Sequence, residues 1–440
     1  MHGHRCFARF LAVMGFVLSS AIGAAEPRLS THAVTQIQAL TAEKDARSAI
    51  ERKIDSRLLH AARMASGRAL APGVATLETG IHVDARGMVA VDIRAPVSPR
   101  LEASVKAIGG DVIRSFAFAE SIEADVPIDR LEQLAADASV RFIMPPAQGI
   151  TERSMAGMPI GTAMPIGRTL SPRVQRFRQT LIEALRAHAP ASEPLPNVGA
   201  VTSQGDATHR ADAARAGFGV NGAGIRIGVI SDSFAAATSP AEEIAAGDLP
   251  GPGNPNGFTS PVQVVGSGDV IGGSDEGRAM LQIVHDLAPG AQLYYATGFN
   301  SITDFANNIR ALRGIAQSAP PNGNLTPGCD IIIDDLFYFI ESGLHDGQPA
   351  PSDSNMAIVT QAVNDVTADG ALYFSSAGNS GGLTQGTSGA WEGDFISGAL
   401  PVVIEGAGDA LAWDGSAVGN TLTVAGSVVT LQWADPLNGS

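Results

Sequence analysis

Ser274–Ala291 reads SDEGRAMLQIVHDLAPGA. A carboxylate, Glu276, is followed at once by Gly277 and then by an apolar run with helical spacing, which stops at Ala288-Pro289-Gly290. A strand follows at Gln292-Leu293-Tyr294-Tyr295. Glu276 is therefore expected near a helix N-terminus, where backbone N–H groups are unpaired and the helix dipole favours negative charge. A carboxylate so placed is either a cap or a catalytic group. The flanking segments narrow the choice.

From about residue 205 the pattern alternates between β and α. Ile225–Ile230, Gln292–Tyr295, Asp330–Asp335 and Ala371–Ser375 are continuous apolar runs of the kind buried in a parallel sheet. Helical patterns at Arg278–Leu287, Ile302–Ile315 and Asn355–Ala368 lie between them. This order predicts an α/β fold over 205–400, an open, doubly wound parallel sheet. Ligands bind such sheets outside the carboxyl ends of the strands. The first strand there runs into Ser231-Asp232-Ser233, the third ends at Asp335, and the fourth runs into Ser376-Ala377-Gly378-Asn379-Ser380-Gly381. Three carboxylates (Asp232, Glu276, Asp335) and the Gly-flanked Asn379 are thus expected at one sheet edge. An asparagine held by Gly-rich backbone can aim its amide at a developing oxyanion. Clustered carboxylates raise one another's proton affinity, which suits a base working in acid.

The front half is different. Residues 81–146 read as strand, helix, strand, strand, helix, strand, a ferredoxin-like α+β unit. Residues 26–80 form a helical segment before it. Residues 147–204 read as a linker with one basic helix, and 401–440 switch to short alternating strands, the start of a β-rich insert or extension. Residues 1–25 read as a secretory signal: Arg5 and Arg9, apolar Phe10–Val17, then Gly23-Ala24-Ala25 before Glu26. The apolar run is well short of the roughly 20 residues a spanning helix needs. A secreted or periplasmic protein is expected, with no membrane contact after signal cleavage.

Charge divides along the chain. Residues 200–440 hold six Arg, no Lys and 25 Asp+Glu, whereas 26–199 are nearly balanced. So acidic a half argues against nucleic acid as a partner, and the less acidic front half could dock on it. Cys6 would leave with the signal, and Cys329, before an apolar strand, reads as a small buried hydrophobe. No His-x-x-x-His or carboxylate loop points to a metal. No cofactor is expected, and nothing spells a calcium loop.

These residues carry a family resemblance. Gly224–Phe234 (GIRIGVISDSF) resembles the first strand of subtilisin-like serine proteases, with Asp232 at the triad aspartate. Ser375–Gly381 (SSAGNSG) is similar to their oxyanion segment, with Asn379 at the oxyanion asparagine. Asp330–Leu336 (DIIIDDL) resembles the strand that flanks substrate, with Asp335 where a serine is usual. Glu276 falls where subtilisins carry the triad histidine, a swap that marks the sedolisins, the acid-acting branch of the fold. The ferredoxin-like unit resembles the inhibitory prodomain of subtilases. The site departs from both branches. Sedolisins place an aspartate four residues after the glutamate, where this chain has Met280, and use an aspartate as oxyanion donor, where it has Asn379. Asp335 could supply the missing second carboxylate.

The resemblance implies a serine endopeptidase acting on protein or peptide substrates, with its own prodomain as a partner. Glu276 would be the general base, Asp232 would orient it or share its proton, and Asn379 would stabilise the oxyanion. The family serine sits in Gly-Thr-Ser-x-Ala at the start of a buried helix. Gly386-Thr387-Ser388-Gly389-Ala390 matches the letters, but only nine residues after Asn379 and in a loop pattern, so the nucleophile is expected beyond residue 440 and the sheet is expected to be incomplete. The competing expectation is an inactive homologue serving as a binding module. His285 lies nine residues past Glu276, and nine steps of about 100° place it on the opposite helix face, as a helix-end histidine beside Asp286.

Overall fold

The computed structural model describes residues 30–147, 149–151, 199–270, 272–318, 328–338, 358–378, 396–398 and 410–411. The chain divides into two compact units, 1–146 with 390–428 and 147–389 with 429–440. No described helix is long and apolar enough to cross a membrane.

In the first unit, α1 (Thr31–Asp45) starts where the Ser30 hydroxyl accepts the Ala33 N–H, and α2 (Ser56–Ala65) where Asp55 accepts the Arg57 N–H. Then come β1 (Met88–Arg94), α3 (Pro99–Ala107), β2 (Asp111–Phe116), β3 (Ser121–Pro127), α4 (Leu131–Ala135) and β4 (Phe142–Met144). The four strands form one sheet in the order β2-β3-β1-β4, and every pairing is antiparallel. Alternate residues of β1 and β3 (Val89, Val91, Ile93; Ile122, Ala124, Val126) share a core with Leu101 and Val105 of α3 and Leu58 and Leu59 of α2. The stripe of apolar residues on α2 therefore closes the same core as the sheet. An ion network ties α1 to α2. Glu43 receives Arg47 Nε and Nη2 at 2.8 Å each and Arg63 Nη1 at 2.6 Å, and Arg63 Nη2 reaches Glu51 at 2.7 Å. Burial alone would raise the Glu43 pKa, but Arg47, Arg63 and His60 together bring it down to about 2. Elsewhere in this unit β10 (Ser397–Gly398) pairs antiparallel with β11 (Ala410–Leu411).

The second unit contains α5 (Gln204–Thr208), α6 (Ala211–Phe218), β5 (Arg226–Ser231), α7 (Ala241–Ala246), β6 (Gln263–Val264), α8 (Glu276–Leu287), β7 (Gln292–Thr297), α9 (Ile302–Arg313), β8 (Ile331–Asp334), α10 (Ile358–Ala368) and β9 (Leu372–Ser375). The sheet runs β6-β7-β5-β8-β9 and is parallel throughout. After β5 the chain builds one side of the sheet with β6 and β7, then crosses to build the other with β8 and β9. The switch point lies at β5, between β7 and β8.

Strands β5 and β7 are buried on both faces, as their unbroken apolar runs require, whereas β9, expected to be buried, leaves Leu372 58% and Phe374 55% exposed among the described residues. Ile227 and Val229 of β5 pack with Leu293 and Tyr295 of β7, Ile331 and Ile333 of β8, and Leu281 of α8. On the other face Gly228 meets Leu312 of α9 and Cys329, whose thiol is fully buried. Helix α9 is buried along its length from Ile302 to Leu312. Apart from Thr303, whose hydroxyl has no partner, its buried polar residues are satisfied internally. Asn308 bonds Thr297 O and Ser267, and Arg310, 1% exposed, pairs with Asp365 of α10 at 2.7 Å. The short edge strand β6 and helices α5, α6 and α7 have no counterpart in the sequence reading. The strands predicted at 402–433 and the basic helix of the linker lie outside the described residues.

Candidate active site

The site forms at the carboxyl edge of the parallel sheet. Register sets Ser231 opposite Thr297 and Ile230 opposite Asp334, so Ser231-Asp232 and Asp335 leave the sheet as neighbours at the switch point. Side chains alternate along a strand. Val229 and Ile333 face α8, so Ser231 and Asp335, two residues on, share that face. Asp334 points the other way. It is buried and accepts Ser375 Oγ at 2.9 Å and the Leu336 N–H at 3.2 Å, and burial raises its pKa.

Helix α8 brings Glu276 to this edge by close backbone approach. A β-carbon on Gly277 would stand 2.5 Å from Tyr295 Cε2 and 2.8 Å from Ser233 O. Only glycine lets the first turn of α8 rest on the end of β5. Asp232, buried just past β5, clamps that turn. Its Oδ1 accepts the Glu276 N–H at 2.9 Å and the Ser233 N–H, and its Oδ2 accepts Ser274 N–H at 2.5 Å and Ser274 Oγ at 2.6 Å. Asp232 thus satisfies N-terminal donors that α8 would otherwise leave unpaired.

The turn is locked from its other side. Asp275 adopts φ 61°, a left-handed conformation that aspartate tolerates. Its carboxylate accepts Ala236 N–H at 2.7 Å, Thr238 N–H at 2.9 Å and Ser233 Oγ at 3.0 Å. Burial would raise its pKa, but hydrogen bonds from Ala237, Thr238, Ser233 and Ala236 outweigh this and hold it below the usual carboxylate value. Arg278 donates to Phe234 O at 2.8 Å and Thr238 O at 2.7 Å, and pairs with Asp275 at 3.0 Å. Asp269 receives the Phe234 and Ala235 N–H groups. Three charged side chains therefore fix the loop after β5 against the start of α8. Asp275 and Arg278 carry no mark in the sequence reading. The Ser-Asp before Glu-Gly is a capping signal that could have singled out Asp275.

Three polar atoms of these segments are left over. Glu276 Oε2, Asp335 Oδ1 and Ser231 Oγ are buried without a hydrogen-bond partner. Burial pushes the Asp335 pKa up to about 7. The neighbouring Ser231 hydroxyl, in no hydrogen bond of normal geometry, offsets part of this, and the charges of Glu276, Asp334 and Asp232 add to it. A carboxyl whose pKa is raised to about 7 is suited to holding or passing a proton near neutral pH.

An extended segment lies at the same edge. Ile150 N–H donates to Phe337 O at 3.0 Å, and Phe337 N–H donates to Ile150 O at 2.8 Å. This is an antiparallel pair two residues beyond Asp335. Thr151 is buried, and Tyr338, next to Phe337, hydrogen-bonds Gly298 O and stacks on Phe305 at 5.6 Å. The chain segment at 149–151 thus pairs as a single antiparallel bridge with the segment that follows Asp335.

The structure brings Asp232, Glu276 and Asp335 to one edge. Asn379 and Ser388 lie outside the described residues. Met280, at the position of the absent partner acid, packs into the apolar cluster beneath α8. His285 lies in the last turn of α8 beside Asp286, as expected. It is fully buried, has no partner on either ring nitrogen, meets Phe258 edge-on at 5.3 Å, and burial lowers its pKa to about 4, against a small opposing effect of Asp248.

No protein-family model and no curated protein sequence matches the chain. Among solved structures it is similar to fervidolysin from Fervidobacterium pennivorans, a keratinolytic enzyme related to subtilisin, with 12% identity and a TM-score of 0.31 over 70% of this chain and 41% of that one. It is also similar to the epidermin leader peptide processing serine protease of Staphylococcus aureus, at 10% identity and a TM-score of 0.30 over 66% of this chain and 60% of the other. A variant of that protease gives 11% and 0.33, with 67% and 62% covered. The chain thus spans less than two thirds of the length of each.

Proposed function

We propose that this chain is a secreted peptidase that hydrolyses peptide bonds in protein substrates with a carboxylate in place of the histidine base. The supporting observation is the pairing of Ile150 with Phe337, which sets an extended backbone against the chain two residues beyond Asp335. An exposed sheet edge that accepts a strand is a general way to bind peptides, with affinity from main-chain hydrogen bonds. A carboxylate base beside it supplies the second requirement of acyl transfer.

In this reading a hydroxyl nucleophile adds to the substrate carbonyl carbon and passes its proton to Glu276. The carbonyl π pair moves onto oxygen, where Asn379 donates to it. Collapse of the adduct breaks the C–N bond, and the proton leaves on the amine. Asp232 holds the helix that carries Glu276. The segment at 149–151 acts as an internal occupant of the peptide edge, in keeping with a front unit that serves as a prodomain.

The test is cleavage of denatured casein by the purified full chain, with Glu276→Gln alongside. Cleavage that Glu276→Gln abolishes, with an optimum on the acid side, supports the reading. Cleavage that survives Glu276→Gln removes Glu276 from the mechanism. The occupied strand edge would equally serve a binding module. Peptide capture without cleavage, and no labelling by an active-serine probe, would decide for that second reading.

A further inference from the structure

We infer that the segment after Asp335 forms a peptide slot selective for glycine, in sequences of the form glycine, any residue, small residue, and that Tyr338 is the residue that sets this specificity. The inference deepens the peptidase reading by naming its substrate class, and it rests on that reading for the claim that the slot receives substrate. The slot itself can be measured without cleavage.

The first ground is the frame of the pairing. Ile150 and Phe337 exchange both main-chain bonds, at 3.0 and 2.8 Å. Such a pair fixes the register of a chain laid there. Side chains alternate along an extended chain, so residues 149 and 151 share one face and 150 takes the other. Burial follows that alternation. Gly149 and Thr151 are buried, and Ile150 is half-buried. Specificity at this edge therefore falls on the two residues that flank the paired one.

The second ground is the space at Gly149. A β-carbon there would stand 3.0 Å from Tyr338 Oη, 3.1 Å from Gly298 O and 3.2 Å from Phe299 Cδ2. All three lie inside ordinary van der Waals contact. Gly149 has no left-handed φ. Its backbone is one that any residue adopts, so the glycine is required by the walls of the slot and not by a turn. A requirement imposed by the walls applies equally to a peptide from another chain.

The third ground is that these walls are held in place. Gly298 N–H donates to Ser231 O at 2.9 Å, and a β-carbon on Gly298 would stand 2.1 Å from Leu336 Cδ1. Phe299 N–H donates to Thr297 Oγ1 at 3.1 Å. Tyr338 donates its hydroxyl to Gly298 O, and its ring stacks on the buried Phe305. The Tyr338 oxygen is thus both the nearest wall atom and one fixed at two points.

The test is amide hydrogen exchange of the full chain, read at Ile150 and Phe337. Gly149→Val is expected to speed exchange at both amides by roughly tenfold or more, with β5 and β7 unchanged. Ile150→Val, on the other face, should leave both protected. Gly149→Ala should have a smaller effect, and Tyr338→Phe, which removes the nearest wall atom, should suppress it. Equal protection in wild type and Gly149→Val overturns the slot. A Gly149→Ala effect of the same size with and without Tyr338→Phe removes Tyr338 as its determinant. Cleavage sites mapped by mass spectrometry in a random synthetic peptide library separate this proposal from the peptidase reading. Cuts that carry glycine at one fixed distance, with a small residue two places after it, support both. Cuts without that pattern keep the peptidase and overturn the substrate rule. No cuts, with exchange that depends on Gly149, uphold the slot and count against the peptidase.

Discussion

Gly277 rests against Tyr295 so closely that a β-carbon on the glycine would stand 2.5 Å from the ring. Tyr295 is fully buried, so the ring has nowhere to retreat. Gly277→Ala should therefore push the first turn of α8 off the sheet. The expected cost is about 1–3 kcal/mol, the range for overpacking a filled core. Chemical unfolding of the variant measures it. An unchanged midpoint would mean that α8 does not seat on Tyr295.

Asp335 gives the second unit an unusual pH slope. Its folded pKa, about 7, lies above the ordinary carboxylate value of 3.8, so the folded state binds its proton more tightly than the unfolded chain does. The resulting stability is fully present below pH 3.8 and is lost as pH rises through 7. Asp335→Asn should remove the loss and raise the melting temperature at pH 8 relative to wild type, with an effect on the order of 2–4 kcal/mol. A variant less stable than wild type at pH 8 would contradict this.

His285 works in the opposite direction. Its pKa falls from the ordinary 6.5 to about 4 on folding, so the unfolded chain takes up the proton first as the solution becomes acid. Stability is full above pH 6.5 and declines as pH falls towards 4, by a total on the order of 3 kcal/mol. His285→Leu should flatten that decline. Parallel melting curves for wild type and variant across this window would refute the assignment.

In the first unit Glu43 is the acceptor on which both arginines converge. Its folded pKa, about 2, lies below the ordinary 4.5, so its contribution is present above pH 4.5 and is lost as pH falls towards 2. Glu43→Gln leaves Arg47 and Arg63 facing an uncharged partner, and should cost about 3–5 kcal/mol, as breaking a buried pair does. Amide exchange in α1 and α2 should speed up in the variant. Unchanged protection there would show that the apolar contacts of α2 hold these helices unaided.

The parallel sheet was legible because buried strands must be apolar on both faces and because the helices between them have a clear period. β5, β7, β8 and β9 lie within two residues of the segments read from the sequence. The strand β6 was not, since two residues carry no periodicity. The three carboxylates were legible because each directly follows a strand or opens a helix. Their division of labour was not. Nothing in the letters distinguishes Asp232, filled by the backbone of α8, from Asp335, one oxygen of which is buried without a hydrogen bond of normal geometry. That difference comes from which face each residue takes as the chain leaves the sheet. Asp275 and Arg278 were missed for a similar reason, because their partners lie some 40 residues earlier, in a loop with no pattern of its own. His285 was placed correctly away from Glu276, but its enclosure depends on Phe258, from a distant loop.

The bond between Ile150 and Phe337 joins two parts of one molecule, and this sets the terms on which any other peptide can enter. A tethered strand competes at a fixed effective concentration set by the length and stiffness of its connection. A free peptide binding more weakly than that will scarcely displace it, however much of the chain is present. Dilution will not release it either, because the ratio is internal to the molecule. Access to the edge is therefore governed by the covalent continuity of the chain at residues 149–151, and cutting that connection would change it where adding peptide would not.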